Sequence, residues 1–200
     1  MQQLAGKLIA IEGIDQAGKQ TICDWLAAEL RAHGVPTEQT GFPDYSTPLG
    51  HEITAFLRGQ RDYPAEARQL LYAANRWERA AEIQGWLDEG RAVVVDRYIA
   101  SGVAYGSAQG LGAEWMLTVE EGLPEAGLTI LLDITPDVSL ARKTTARDAY
   151  EERLDLLAQA REAYLELAQN PDWIVVDAAA DRDTVRARVL AALQQHLAQM

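Results

Sequence analysis

One cysteine in 200 residues, Cys23, excludes a disulfide framework and a cysteine metal cluster. Positive charge is also scarce. Eighteen lysines and arginines stand against 30 aspartates and glutamates, giving a formal net charge of −12 and a pI near 4.6. A nonspecific DNA or RNA binder needs a basic face, so no nucleic-acid partner is expected, although a few arginines in a cleft can still serve one phosphate ester. No stretch approaches about 18 uninterrupted apolar residues, so no membrane span is expected. The opening MQQLAGKLIAIEG enters an apolar segment at once and lacks the long apolar run of a signal peptide, which points to a soluble cytoplasmic protein. Repeats, low-complexity tracts and linkers are missing too. With 48% hydrophobic residues, residues 1–200 suit one α/β domain with a full core.

What is present centres on residues 8–30, LIAIEGIDQAGKQTICDWLAAEL. Leu8-Ile9-Ala10-Ile11 suits a strand buried on both faces. Gly13-Ile14-Asp15-Gln16-Ala17-Gly18-Lys19-Gln20-Thr21 follows, and then Ile22, Trp25, Leu26 and Leu30 recur at helical spacing. Strand, glycine-punctuated loop and helix form the context in which GxxxxGK signifies a phosphate-binding loop. Gly13 and Gly18 let successive amide N–H groups converge on phosphate oxygens, the helix N-terminus adds its dipole, and Lys19 adds a point charge. The residue after Lys19 departs from the pattern. A Ser or Thr hydroxyl there would ligate Mg²⁺, but the chain has Gln20. Thr21 cannot simply take over, because one helical step rotates a side chain by about 100°. The Gln20 amide oxygen or a retained water is left to serve the metal.

Further along, residues 35–40 read as a short second strand, 41–48 as a loop, 49–57 as a helix, and 65–89 as one long helix closed by Gly90. Residues 92–95 form another apolar strand ending in Asp96-Arg97-Tyr98, with helices expected over 99–107 and 113–121. Residues 128–134 read as a strand, with Thr135-Pro136-Asp137 as a helix start. A helix over 138–143 runs into a polar segment, 144–150. A helix over 151–169, a strand over 173–176 and a helix over 181–199 complete the chain. Apolar strands alternating with helices predict a parallel sheet covered on both faces. Ligands then gather at the carboxyl ends of the strands, where the loop at Gly13, Asp96-Arg97 and Phe42-Pro43 all fall.

Three constellations carry the remaining information. Tyr72 and Arg76 are an i, i+4 pair, suited to stacking a base and bonding its edge; a core aromatic beside a solvated arginine is the plainer alternative. Asp96 could organise a metal's water shell while Arg97 holds a phosphate bidentately; a strand-end ion pair is the plainer alternative. Residues 142–150 place Arg142, Lys143 and Arg147 between two helices, as a basic lid closing over transferring phosphates or as a solvated surface run. Asp15, inside the phosphate loop, would repel phosphates unless it points elsewhere, toward a sugar hydroxyl or another cation.

The motifs EGIDQAGK, FPDYSTPLG, LLYAANRWE and DRYIASGVAYG, with the basic segment followed by AREAYLELA, resemble the thymidylate kinase family of P-loop nucleoside monophosphate kinases over nearly the whole chain. The resemblance implies a three-layer α/β P-loop NTPase fold, with a five-stranded parallel sheet, helices on both faces and a short basic lid near residues 142–151. It implies transfer of the ATP γ-phosphoryl group to dTMP, with Mg²⁺ as cofactor. Gly13, Asp15, Gln16, Ala17, Gly18, Lys19, Gln20 and Thr21 would lie on ATP. Phe42, Pro43, Tyr45, Tyr72, Arg76, Arg97, Ser101, Gly102, Tyr105 and Tyr150 would line the acceptor, with Asp15 on its 3′-OH. Tyr72 would stack on thymine and Tyr105 would crowd a 2′-OH. Arg97 would grip the acceptor phosphate, Asp96 and Gln20 would serve the metal, and Arg142 or Arg147 would swing in as the lid arginine. A homodimer through packed helices is also implied, with Trp86 and Leu87 as surplus apolar positions.

Besides Gln20, two residues depart from the family pattern. Gln16 stands where some members place an arginine, and Tyr45 stands where FPxRST members carry one, which weakens one phosphate contact or moves it to a residue such as Arg58. Two other readings stay open. A deoxynucleoside kinase would need a carboxylate base, Glu12 or Asp96, and a nucleotide sensor would have lost catalysis through Gln20 and Tyr45.

Overall fold

In the strand β1, Leu8–Glu12, every residue is buried, because strands flank it on both sides and helices cover both faces. The computed structural model describes residues 1–142 and 150–199, with backbone only at 150–153. The described residues form a five-stranded, wholly parallel sheet. Its other strands are β2 (Thr37–Gly41), β3 (Ala92–Asp96), β4 (Ala126–Asp133) and β5 (Trp173–Asp177), in the order β2-β3-β1-β4-β5. The helices are α1 (Lys19–Ala32), α2 (Pro48–Leu57), α3 (Ala65–Asp88), α4 (Ile99–Ser107), α5 (Ala113–Glu120), α6 (Pro136–Arg142), α7 (Tyr150–Leu167) and α8 (Arg182–Leu197).

The two-residue period of a strand divides the core in two. Ile9 and Ile11 of β1, with Ala92 and Val94 of β3, pack on the side of α1, α7 and α8, among Leu26, Leu30, Tyr164 and Leu193. Leu8, Ala10, Val93 and Val95 point the other way, against Phe42, Ile83, Tyr98 and Leu123. This second cluster also takes Trp86 and Leu87 of α3, both half-buried. The two residues expected to be surplus are therefore committed to the core. The exposed apolar side chains of the long helix are instead Leu70 and Trp77, with Trp115 and Leu117 on α5.

Element bounds shift for local reasons. Pairing at the β2 edge begins at Pro36, whose carbonyl accepts from Ala92 N at 2.8 Å, so the strand runs to Gly41. Asp181 caps α8 instead of belonging to it, with Oδ1 accepting from the amides of Asp183 and Thr184, each at 3.0 Å. On α7, Arg161 makes a two-pronged ion pair with Asp133 at the end of β4 (2.6 and 2.8 Å), tying this helix to the carboxyl edge of the sheet. Among the described residues, no helix is long and apolar enough to cross a membrane.

Candidate active site

The phosphate loop follows β1 directly. At Gly13, φ is +140° and an added Cβ would sit 2.5 Å from Leu132 O, so no other residue fits there. Gly18, also left-handed, is the N-cap of α1, and the first turn of that helix holds no acidic side chain, which leaves its amides open to an anion. Lys19 is buried and arches over the loop to donate to Ile14 O at 3.0 Å. Burial, and then the nearby Arg97 cation, bring its pKa down to about 7, with Asp96, Asp15 and Glu12 pulling the other way.

Arg97 stands just past the end of β3 with φ +64°. Its Nη1 donates to Gly13 O and to Ser101 Oγ, each at 3.2 Å, and its Nη2 to Asp15 Oδ1 at 2.7 Å. The guanidinium lies 5.4 Å from the centre of the Tyr105 ring. Tyr105 Oη also donates to Asp15 Oδ1 (3.2 Å), and burial pushes its phenol up to about 12, so it stays a donor at neutral pH. Burial acts against the charge on Arg97, but the Tyr164 and Tyr105 oxygens, Asp15 and Glu12 overcome it and hold the group above its ordinary value. Asp96 is different. Its Oδ1 is buried with no hydrogen-bond partner among the described residues, and burial raises its pKa against the pull of Lys19 and Arg97.

These groups face two cavities with a common wall of Asp15, Phe42, Pro43, Tyr45 and Arg97. One, of about 730 Å³, opens over Gly18, Lys19, Gln20, Thr21 and Asp96. The other, of about 430 Å³, is lined by Tyr72, Arg76, Ser101, Gly102 and Tyr105. Tyr72 and Arg76 thus do share a helix face on a cavity. Arg76 is buried in a two-pronged ion pair with Glu120 of α5, and Gly102 leaves room for it, since a Cβ there would lie 2.9 Å from Arg76 Nη2. The Phe42–Pro43 wall is held by the same helix. Asn75 accepts from Asp44 N (2.8 Å) and donates to Thr47 Oγ1 (2.8 Å), and Glu78 accepts from Thr47 Oγ1 (2.6 Å).

A third cavity, of about 260 Å³, lies between Gln16, Ala17, Gly18 and Thr21 on one side and Ala178, Ala180 and Arg182 on the other. Arg142 closes it. Its guanidinium donates to Gln16 O (3.1 Å), Ala178 O (2.8 Å) and Ala180 O (3.1 Å).

A family model for thymidylate kinase matches residues 11–189. The chain is 34% identical to the thymidylate kinase of Arabidopsis thaliana over 92% of its own length and 69% of that protein. It is 36% identical to that of Danio rerio, over 87% of this chain and 83% of the other. The solved structure of thymidylate kinase from Candida albicans superposes with a TM-score of 0.81 at 29% identity, covering 96% of this chain and 92% of that one. The chain belongs to the thymidylate kinase family. It is therefore a nucleoside monophosphate kinase, a phosphotransferase on the P-loop NTPase fold.

Most of the residues picked out from the thymidylate kinase motifs gather on the two cavities that share the Arg97 wall, including Tyr45, which is 50% exposed at their junction. Two of the expected residues, Arg58 and Arg142, lie off these cavities. Arg58 is the C-cap of α2, is exposed and lines neither of these two cavities. Gln20 lines the 730 Å³ cavity, and its Nε2 donates to Asp24 Oδ1 at 2.7 Å, an oxygen it shares with Gln39 Nε2. Arg142 is fastened to three carbonyls beside the 260 Å³ cavity and lines neither of the two that share the Arg97 wall. Ser101 lines the 430 Å³ cavity, with its hydroxyl donating to Glu12 and its oxygen accepting from Arg97. Arg147 lies outside the described residues, as does the side chain of Tyr150, whose backbone opens α7. Asn75, Glu78 and Glu120 were missed. The polar spacing within ANRWE was a signal for the first two, whereas nothing local marks Glu120.

Proposed function

We propose that the 730 Å³ cavity takes the phosphates of ATP and the 430 Å³ cavity takes dTMP, with Arg97 on the wall between them at the point of transfer. An oxygen of the dTMP phosphate attacks Pγ, the bond from Pγ to the bridging oxygen of ADP breaks, and dTDP and ADP leave. The acceptor phosphate is already ionised, so no strong general base is needed, and catalysis reduces to positioning and charge neutralisation. Lys19 and the amides of α1 hold the donor phosphates, and Arg97 holds the acceptor phosphate. Tyr72 and Arg76 take the base, and Tyr105 lies beneath the sugar with Asp15 at its 3′-OH. The observation that carries this reading is one left-handed arginine, braced by Gly13 and Asp15 of the phosphate loop, standing in the wall of both cavities.

The chain fits Mg²⁺ through Asp96, which lines the 730 Å³ cavity and has a buried carboxylate oxygen with no hydrogen-bond partner among the described residues. Asp96, with waters and phosphate oxygens, would hold the ion, which supplies charge neutralisation between the donor phosphates. Gln20 would contribute through its amide oxygen or a water. Coupled ADP release with ATP and Mg²⁺ tests the whole reading, comparing dTMP, dUMP, dCMP, dGMP and thymidine as acceptors. Fast turnover confined to dTMP, with slower dUMP, is expected; turnover of thymidine without dTMP would overturn it.

Arg142 belongs to the ATP base on this reading. Its guanidinium and the Ala178–Ala180 backbone bound a slot beside the phosphate loop. Arg142→Ala should raise KM for ATP roughly tenfold and leave kcat within about threefold, as expected for losing one stacking and positioning contact. A large loss of kcat at unchanged ATP affinity would return Arg142 to the transferring phosphate. The chain also works as a homodimer on this reading, in a cytoplasmic setting, with Leu70 and Trp77 of α3 and Leu117 of α5 as the apolar face. Sedimentation should then show twice the 22.0 kDa chain mass.

A further inference from the structure

Glu12 is the last residue of β1 and is wholly buried, on a strand whose other members are all apolar. A buried carboxylate needs a full set of donors. It has four. Oε1 accepts from Tyr98 N (2.7 Å) and Ser101 N (3.2 Å), and Oε2 accepts from Ser101 Oγ (2.6 Å) and Tyr164 Oη (2.9 Å). Ser101 has one hydroxyl proton. Spent on Glu12, it leaves the Ser101 oxygen free to accept from Arg97 Nη1 at 3.2 Å. Donation therefore runs one way, from Arg97 to Ser101 to Glu12.

The backbone at Arg97 is held by the same strand. Arg97 N donates to Ile11 O (3.0 Å), Tyr98 N to Glu12 Oε1, and Arg97 Nη1 to Gly13 O. Three successive residues of β1 and the phosphate loop thus grip both sides of the left-handed residue and its guanidinium. Tyr164, fully buried on α7, adds the fourth donor and lies 2.7 Å from Ser101 Oγ.

We infer that Glu12, completed by Ser101 and Tyr164, is the positioning residue that aims Arg97 at the acceptor phosphate. This rests on the assignment of Arg97 to that phosphate. A carboxamide is a poor replacement for the carboxylate. Its –NH₂ end would face either the two amide donors or the two hydroxyls, and in the second case Ser101 and Tyr164 could satisfy only one O–H between themselves, leaving the other without an acceptor.

The test isolates the phosphate. Calorimetry gives Kd for dTMP and for thymidine, and their ratio measures what the 5′-phosphate adds to binding. Arg97→Ala should collapse this ratio. Glu12→Gln should lower it roughly 10- to 100-fold with thymidine affinity within about threefold, and should add nothing in the Arg97→Ala background, as for groups acting as one unit. Tyr164→Phe removes one donor and keeps the packing; it should lower the ratio about three- to tenfold. A ratio unchanged in Glu12→Gln and Tyr164→Phe, or an equal loss of dTMP and thymidine binding, would overturn the inference and leave Glu12 a purely structural cap on α4. Should Glu12→Gln fail to fold, an unchanged ratio in Tyr164→Phe overturns it alone. If Arg97→Ala itself leaves the ratio intact, the assignment of Arg97 falls first, a distinguishable result.

Discussion

Arg97→Ala should lower kcat/KM for dTMP by roughly 10³-fold while ATP affinity stays within about threefold, the scale of losing a preorganised charge at a transferring phosphoryl group. Three features set that size. The guanidinium is fixed before substrate arrives, by Gly13 O, Ser101 Oγ, Asp15 Oδ1 and the face of Tyr105, so little ordering is left for the reaction to supply. Among the described residues, it is the only arginine on the wall shared by the 730 and 430 Å³ cavities, because Tyr45 occupies the neighbouring place as a neutral phenol. Without it, the Asp15 carboxylate would face an incoming phosphate with less positive charge between them. Arg97→Lys should recover no more than about tenfold, since an ammonium cannot serve Gly13, Ser101, Asp15 and a phosphate as a planar fork does. Steady-state kinetics with dTMP and ATP varied separately decides it. A loss below tenfold would move the acceptor phosphate elsewhere.

How much of this was legible from the chain depends on the distance over which each partner acts. The strands were readable because β1, β3 and β4 are buried on both faces and so appear as unbroken apolar runs. The phosphate loop was readable because its parts lie within nine residues and its strand and helix flank it directly. Arg97 was readable as the end of a strand beside that loop. What escaped was long-range. Glu120 meets Arg76 across 44 residues, and Asn75 meets Asp44 across 31. Tyr164 reaches Glu12 across 152 residues, so Glu12 looked like a free carboxylate suited to a base when its oxygens were already taken by four donors. Arg142 looked like part of a basic lid because the carbonyls it binds at Ala178 and Ala180 are brought to it only by the β4–β5 pairing. Trp86 and Leu87 looked surplus because helical spacing does not say which stripe a second core cluster will cover.

Lys19→Met should lower kcat by roughly 10²- to 10³-fold, the scale of removing one preorganised donor from a transferring phosphoryl group. A pH signature should accompany the loss. In the empty site the ammonium is buried beside Arg97, and its pKa of about 7 leaves it mostly neutral at pH 8. ATP brings several negative charges to the same place, which raises that pKa and draws a proton onto the lysine. Because ATP itself is fully ionised well above its last phosphate pKa near 6, the proton comes from buffer, and uptake at pH 8 should approach about 0.9 per ATP bound. A pKa raised in the bound state means that this contribution to affinity is complete below the free-site value and is lost as pH rises toward the bound-site value. ATP affinity should therefore fall nearly tenfold between about pH 7.5 and 8.5. Titration calorimetry at pH 8 in two buffers of different ionisation enthalpy measures the uptake directly, with Lys19→Met as the control in which it vanishes. Uptake below about 0.2 would mean that the empty site already holds the lysine charged, and that Asp96, Asp15 and Glu12 outweigh burial and Arg97.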